Sequence, residues 1–220
     1  MNKNIRLLIF DWDGTLVNSL ARIVEAVQVA AQHCQIPPRS AEQIHAIIGL
    51  SLLEAFGVLY PDIDDESLRE QFRQSYAEHY LSLEQEPSAF YPGVRDALDD
   101  YKAAGYQLAV ATGKSRRGLD HILQGHQLED FFHITRCADE TKGKPHPLML
   151  QQILQHCQQP PEHAIVVGDS PFDLQMANNA QIAGVAVSYG AQPLEVLMVE
   201  KPILAIDNFS ELSNWLAQTP

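Results

Sequence analysis

No apolar run in this sequence approaches the roughly 18 to 20 residues that a membrane-spanning helix requires. The opening residues lead straight into a strand pattern, without the apolar segment and small-residue cleavage site of a secretory signal, so a cytoplasmic protein is expected. Cysteine is scarce. Cys34, Cys137 and Cys157 are odd in number and widely scattered, which implies neither a disulfide framework nor a zinc knuckle. Positive charge is scarce too: 15 Lys and Arg face 28 Asp and Glu, a net charge of −13 with histidine neutral. That balance argues against nucleic-acid or anionic-membrane partners, whose phosphates are bound by clustered basic residues. Internal repeats and low-complexity tracts are missing as well. What is present is the composition of a globule with a real core. Of 220 residues, 45% are hydrophobic and 20% charged, which suits one good-sized domain or one domain with an insertion.

The chain changes rhythm twice. Residues 5 to 11 read as a strand, and residues 16 to 88 read as helical throughout. Leu20, Ile23, Val24, Val27 and Ala31 fall on one helix face, and Leu68, Phe72, Tyr76, His79 and Leu83 repeat the spacing in a second long helix. Two shorter helices fit around 40 to 48 and 51 to 58, with Gly49 between them. From Tyr91-Pro92-Gly93 onward, helical and strand patterns alternate. Strands are expected at "YQLAVA" (106 to 111), "FFHITR", "AIVVGD" (164 to 169), "GVAVS" (184 to 188) and after Pro202. Strands separated by helices pair in parallel, so the expected fold is α/β, a doubly wound, mostly parallel sheet of Rossmann-like form. A lone first strand has nowhere else to pair. The core is therefore expected to be 1 to 15 plus 89 to 220, with 16 to 88 a small all-helical cap inserted after the first strand.

The strand at the N-terminus ends in "DWDGT", with two carboxylates, Asp11 and Asp13, one residue apart. Like charges so close repel, and burial adds to the cost of ionising either. Either a cation sits between such groups or they share proton chemistry. Ligands of open parallel sheets bind beyond the carboxyl ends of the strands. Thr112-Gly113-Lys114 and Gly168-Asp169-Ser170-Pro171-Phe172-Asp173 follow two of the other strands, and Lys144 precedes a helix opened by Pro147. Alone, each has a plainer reading: a turn, a solvated lysine, a helix cap. Together at one sheet edge they make a phosphoryl-transfer site. Asp11, Asp13, Asp169 and Asp173 are hard oxygen donors suited to Mg²⁺. A carboxylate can act as nucleophile, and Thr112, backbone N–H groups and Lys144 would hold the phosphoryl oxygens. Residues 114 to 144 carry six of the 15 basic residues: Lys114, Arg116, Arg117, Arg136, Lys142 and Lys144. Arg116 and its neighbours oppose the dipole of the helix they begin, so they could instead steer and bind an anionic ligand.

With these stretches in view, the sequence resembles the haloacid dehalogenase-like hydrolases, in particular the phosphoglycolate phosphatase-like branch. The family signatures stand in order as "DWDGTL", "VATGK", "KGKPHP" and "VVGDSPFD", and the resemblance covers essentially the whole chain. It implies a phosphatase that hydrolyses a small-metabolite phosphate monoester through an aspartyl-phosphate. Asp11 would attack phosphorus, while Asp13 would protonate the leaving alcohol and then activate water. Mg²⁺ would be held by the Asp11 carboxylate, the Asp13 backbone carbonyl and Asp169, with Asp173 orienting the metal's waters or Lys144. Thr112, the Gly113 N–H and Lys144 would bind the phosphoryl group. Dehalogenases of the superfamily lack the second acid that Asp13 supplies here, which favours a phosphatase. Two rival readings fit parts of the pattern. Sugar-phosphate mutases share the core and cap, but a mutase cap usually brings a basic side chain to a second phosphate. No Lys or Arg occurs here between Arg39 and Arg69. A non-catalytic phospho-aspartate receiver accepts phosphoryl on a single Asp after a middle strand, whereas the acidic pair here follows the first strand. A partner-binding protein would show losses in the four signatures, all of which are intact. The expected ligand is a small anionic phosphorylated metabolite, and the expected assembly a monomer or homodimer.

Overall fold

The computed structural model describes residues 4–218. Six strands form one parallel sheet: β1 (Leu7–Phe10), β2 (Gln107–Thr112), β3 (Ile134–Cys137), β4 (Ala164–Gly168), β5 (Ala183–Val187) and β6 (Leu204–Ile206). Their order across the sheet is β3-β2-β1-β4-β5-β6, with every ladder parallel. The chain builds outward from β1 to β3, then returns to place β4 on the other side of β1. The order therefore reverses between β1 and β4, which is where such sheets open a crevice for ligands.

Side-chain alternation makes the sheet two-faced. Leu8, Phe10, Leu108, Val110, Ile165 and Val167 point into one core, and Leu7, Ile9, Ala109, Ala111, Ala164 and Val166 into the other. The first core is closed by α5 (Val94–Ala103), α6 (Arg116–Gly125) and α10 (Ser210–Ala217); the second by α7 (Leu148–Cys157) and α8 (Pro171–Asn179). All four residues of β1 are fully buried. At about 1.5–3 kcal/mol per large apolar side chain removed from water, this short strand anchors both layers. A further short helix, α9 (Leu194–Leu197), absent from the sequence expectation, precedes β6.

Between β1 and α5 lie four helices with no strand among them: α1 (Leu20–His33), α2 (Ala41–His45), α3 (Leu52–Leu59) and α4 (Glu66–Leu83). Ser40, Ser51 and Asp65 cap α2, α3 and α4 by accepting a backbone N–H three residues on. Each such cap contributes about 1 kcal/mol. The two chain segments joining these helices to the sheet run side by side. Val17 bridges both Asp13 and Phe90, Asn18 N–H donates to Ala89 O at 2.9 Å, and Tyr91 N–H to Leu16 O at 3.0 Å.

Two helix faces differ from the sequence expectation. In α4 the buried residues are Phe72, Ser75 and Tyr80, whereas His79 lies against Glu25 of α1 at 2.9 Å with both side chains partly exposed. The Phe72 side packs in an aromatic group with Phe56 and Tyr60. Tyr80 turns toward the acids beyond β1. In α1 the buried face adds Ala26 and Ala30 to the expected Ile23, Val27 and Ala31, whereas Leu20 and Val24 are only partly buried. Among the described residues, no helix is long and apolar enough to cross a membrane.

Candidate active site

The carboxyl ends of β1, β2 and β4 carry the site. Asp11 follows β1 and its N–H donates to Val167 O at 2.9 Å, which seats it at the β1/β4 reversal. The chain then turns sharply at Gly14, φ +74°, where a Cβ would overlap the Asp169 carboxylate. Only glycine meets both conditions. Thr15 Oγ1 donates to Asp169 Oδ1 at 3.2 Å and the Ala191 N–H to Oδ2 at 2.7 Å, so Asp169 is held from two loops. Asp173 is the third residue of α8. Its Oδ2 accepts from Ser170 Oγ at 2.6 Å and Ser170 N–H at 3.2 Å, while the Ser170 hydroxyl caps the helix in return. This reciprocal cap, already legible in "SPFD", fixes the direction of the Asp173 side chain.

Lys144 ties the acids together. Its ammonium is fully buried and sits 2.7 Å from Asp11 Oδ1 and 2.6 Å from Asp173 Oδ1. Asp11, Asp169 and Asp173 place one carboxylate oxygen each within 4.8 Å of one another. Three buried carboxylates thus face one ammonium, and Asp11 Oδ2 has no hydrogen-bond partner. Burial, with the charges of Asp173 and Asp13 added and Lys144 opposing, pushes the Asp11 carboxyl up to about 7. Burial, with the charges of Asp11 and Asp173 added, raises Asp169 well above the carboxylate range. Burial disfavours charge on Lys144, yet Asp11 and Asp173 together hold it above the usual lysine range. A cluster of this kind keeps protons unless a cation displaces them. An orphaned carboxylate oxygen among hard oxygen donors, with more negative than positive charge, fits a small divalent cation.

Asp13 is placed differently from the other three acids. Its Oδ1 accepts from Ser19 Oγ at 2.5 Å and faces the Tyr80 hydroxyl at 3.4 Å, and Oδ2 pairs with Lys114 Nζ at 2.9 Å. Its carboxylate is outside the three-acid cluster. Thr112, at the end of β2, is 1% exposed, and its hydroxyl accepts the Lys114 N–H at 3.3 Å. Gly113 lies under the loop before α3: a Cβ there would sit 2.5 Å from Leu50 O and 2.7 Å from Gly49 O. An open surface depression of about 550 Å³ lies beside the Lys144 loop, lined by Glu54, Lys142, Gly143, Lys144, His146 and Asn179, among others, and by none of the aspartates.

Of the residues singled out by sequence, Asp11, Lys144, Asp169 and Asp173 are brought together, with Asp13 two residues past Asp11 beyond β1 and Thr112 at the end of β2. Arg116, expected to bind substrate, does not join them. Its guanidinium pairs with Asp120 at 3.0 Å and Glu140 at 2.8 Å and donates to Thr135 Oγ1 and O. The reason is local: Arg116 opens α6 facing β3 and the acidic loop after it, so it finds partners there. Of Lys114, Arg116 and Arg117, the one that pairs with Asp13 is Lys114, whose role the sequence left open. Ser19 and Tyr80 also went unremarked. Tyr80 lies 67 positions from Asp13, and only the packing of α4 joins them.

The relationships of the chain agree with this arrangement. A family model for haloacid dehalogenase-like hydrolases matches residues 8–187. A Dickeya dadantii protein described as "Probable phosphatase IndB" is 34% identical over 209 residues, covering 94% of this chain and 91% of its own length. A phosphoglycolate phosphatase of Vibrio vulnificus is 28% identical over 219 residues, covering 96% and 95%. The crystal structure of a hydrolase from Pseudomonas syringae superposes with a TM-score of 0.88 at 22% identity, covering 97% of this chain and 98% of that one. The matched span takes in both aspartates of "DWDGTL", Lys144, Asp169 and Asp173, and the chain belongs to the haloacid dehalogenase-like hydrolase family.

Proposed function

We propose that this protein is a Mg²⁺-dependent phosphatase that hydrolyses a small anionic phosphate monoester, phosphoglycolate or a similar metabolite, through an aspartyl-phosphate on Asp11. The observation that carries the reading is the buried trio of Asp11, Asp169 and Asp173, two of them paired with Lys144, with one Asp11 oxygen left without a partner. The relatives described as phosphatases, one of them a phosphoglycolate phosphatase, support the same class. The Asp11 and Asp169 carboxylates and the Asp13 backbone carbonyl would hold the ion, with Asp173 orienting its surroundings and Lys144. When bound, Mg²⁺ neutralises charge on the carboxylates and on the phosphoryl oxygens.

The remaining work falls to the chain. Thr112, the Gly113 N–H and Lys144 bind the phosphoryl oxygens. Asp11 attacks phosphorus as the ester oxygen departs, and Asp13 gives that oxygen its proton. Asp13 then takes a proton from water as the water oxygen attacks the phosphorus of aspartyl-phosphate, releasing phosphate and restoring Asp11. Arg116 is left out of this scheme because its guanidinium is already engaged. Residues 16 to 88 act as a cap that moves against a core of 1 to 15 and 89 to 220, about hinges near 15 to 18 and 88 to 93, admitting substrate and then excluding water.

The test is phosphate release from a panel of phosphomonoesters and pyrophosphate, with Mg²⁺ and with EDTA, wild type beside Asp11→Asn. Release that requires both the metal and Asp11 is expected, with the near-isosteric variant keeping its fold. Wild-type-like turnover by Asp11→Asn would remove the nucleophile assignment.

A further inference from the structure

Lys114 is a buried cation that the scheme above does not use. Its side chain is 9% exposed, although it lies in the loop after β2, where a lysine ordinarily reaches solvent. Three contacts hold it. The ammonium is 2.9 Å from Asp13 Oδ2, donates to the Tyr80 hydroxyl at 3.0 Å, and lies 4.2 Å from the centre of the Tyr80 ring. The Tyr80 hydroxyl in turn faces Asp13 Oδ1 at 3.4 Å, the oxygen that also accepts from Ser19. Tyr76 stacks on Tyr80 with ring centres 5.7 Å apart, which backs the ring against movement. Asp13 is thereby held at both oxygens, by Lys114 from the sheet edge, by Tyr80 from α4, and by Ser19 at the start of α1.

We propose that Lys114 is a positioning residue for Asp13, locked in place by Tyr80, so that the acid/base carboxylate is fixed only while α4 is docked over the sheet edge. The inference rests on the reading of Asp13 as the acid that protonates the leaving oxygen. The physical argument is geometric. A carboxylate on two free torsions must be aimed at one atom to transfer a proton, and hydrogen bonds from fixed donors supply the aim. With Lys114 drawn away, Asp13 keeps Ser19 alone as a strong partner on one oxygen and can rotate about it.

Leaving groups separate positioning from other roles. Departure of an alkoxide from an alkyl ester such as 2-phosphoglycolate needs the proton, whereas departure of p-nitrophenolate from p-nitrophenyl phosphate does not. The experiment compares kcat/KM on these two esters for wild type, Lys114→Met, Tyr80→Phe and Asp13→Asn, with Mg²⁺ present. For Lys114→Met the loss on the alkyl ester should exceed the loss on the aryl ester by about tenfold or more, a fraction of the 10²–10⁴ that a general acid supplies. Tyr80→Phe, which keeps the ring and removes only the hydroxyl, should show the same preference at smaller amplitude. It decides the question alone if Lys114→Met does not fold. Equal losses on both esters from Lys114→Met or Tyr80→Phe would overturn the proposal, since structural damage or lost phosphate binding acts on both alike. Asp13→Asn tells the two failures apart. If its loss depends on the leaving group while that of the other two variants does not, only the positioning role falls. If its own losses are equal, the assignment of Asp13 falls with it.

Discussion

Asp11 and Asp169 stand with carboxyls raised by burial, Asp11 to about 7, and this has a consequence for stability in the absence of metal. A carboxyl raised in the folded state adds stability that is complete below its unfolded value, near 3.8, and is lost as pH rises through the folded value. In EDTA the melting temperature should therefore fall as pH rises from about 5 to about 8, and Asp11→Asn should flatten part of that fall. Mg²⁺ should restore more stability at the alkaline end, because the ion binds carboxylates whose protons have already left. Thermal unfolding across the range checks this; an equal Mg²⁺ effect at both ends would mean that these carboxyls are not the binding groups. At this scale the sequence was informative wherever a residue's role depends on its neighbours in the chain. "DWDGT" and "SPFD" announce a metal-suited turn and a capped acid because each is settled within six residues. Arg116 and Lys114 were not separable, since which of two nearby cations reaches the acids depends on α4 and on the loop after β3.

Among elements, the loop before α3 is seated closely on the end of β2. Gly113 lies directly beneath the carbonyls of Gly49 and Leu50, and backbone carbonyls cannot step aside as a flexible side chain can. Gly113→Ala should hold the cap loop away from the site. A misplacement of about 1 Å in such a site costs on the order of 10²-fold in rate. The sheet itself should be little affected, because β2 is paired on both sides within the core. Turnover measured beside the melting temperature tests this, and normal kcat/KM would show that the reacting enzyme does not use this seat. The strands and most core helices were readable from alternation and from glycine and proline punctuation. The buried faces of α1 and α4 were less so. Both bury alanine, serine or tyrosine, and small or polar residues carry a weaker periodic signal than large aliphatic ones.

Taken whole, the molecule is a sheet whose catalytic edge is roofed by four helices joined to it through two adjacent segments, Leu16–Asn18 and Ala89–Tyr91. Apart from those segments, Tyr80, Leu50 and Gly49 tie roof to edge through groups at the site itself. Filling the site should then favour the docked arrangement. Limited proteolysis should slow when Mg²⁺ and a phosphate analogue are added together, with cleavage near residues 15 to 18 and 88 to 93 most protected. Cleavage at the same rate with and without these ligands would count against a moving cap.

The sequence by itself determined the α/β class and the run of helices after the first strand, and it singled out the acids and the lysine that the fold clusters. Those features follow from hydrophobic periodicity and from motifs that are complete over a few residues, at strand ends where parallel sheets place their ligands. The tertiary structure alone decided three matters: that Lys144 lies between Asp11 and Asp173, that Asp13 turns away to Lys114, and that Arg116 is spent on Asp120 and Glu140. Each is a choice among partners of similar chemistry. Such choices are made by distances across the fold, between groups as far apart in the chain as Asp11 and Asp173, and no local pattern records them.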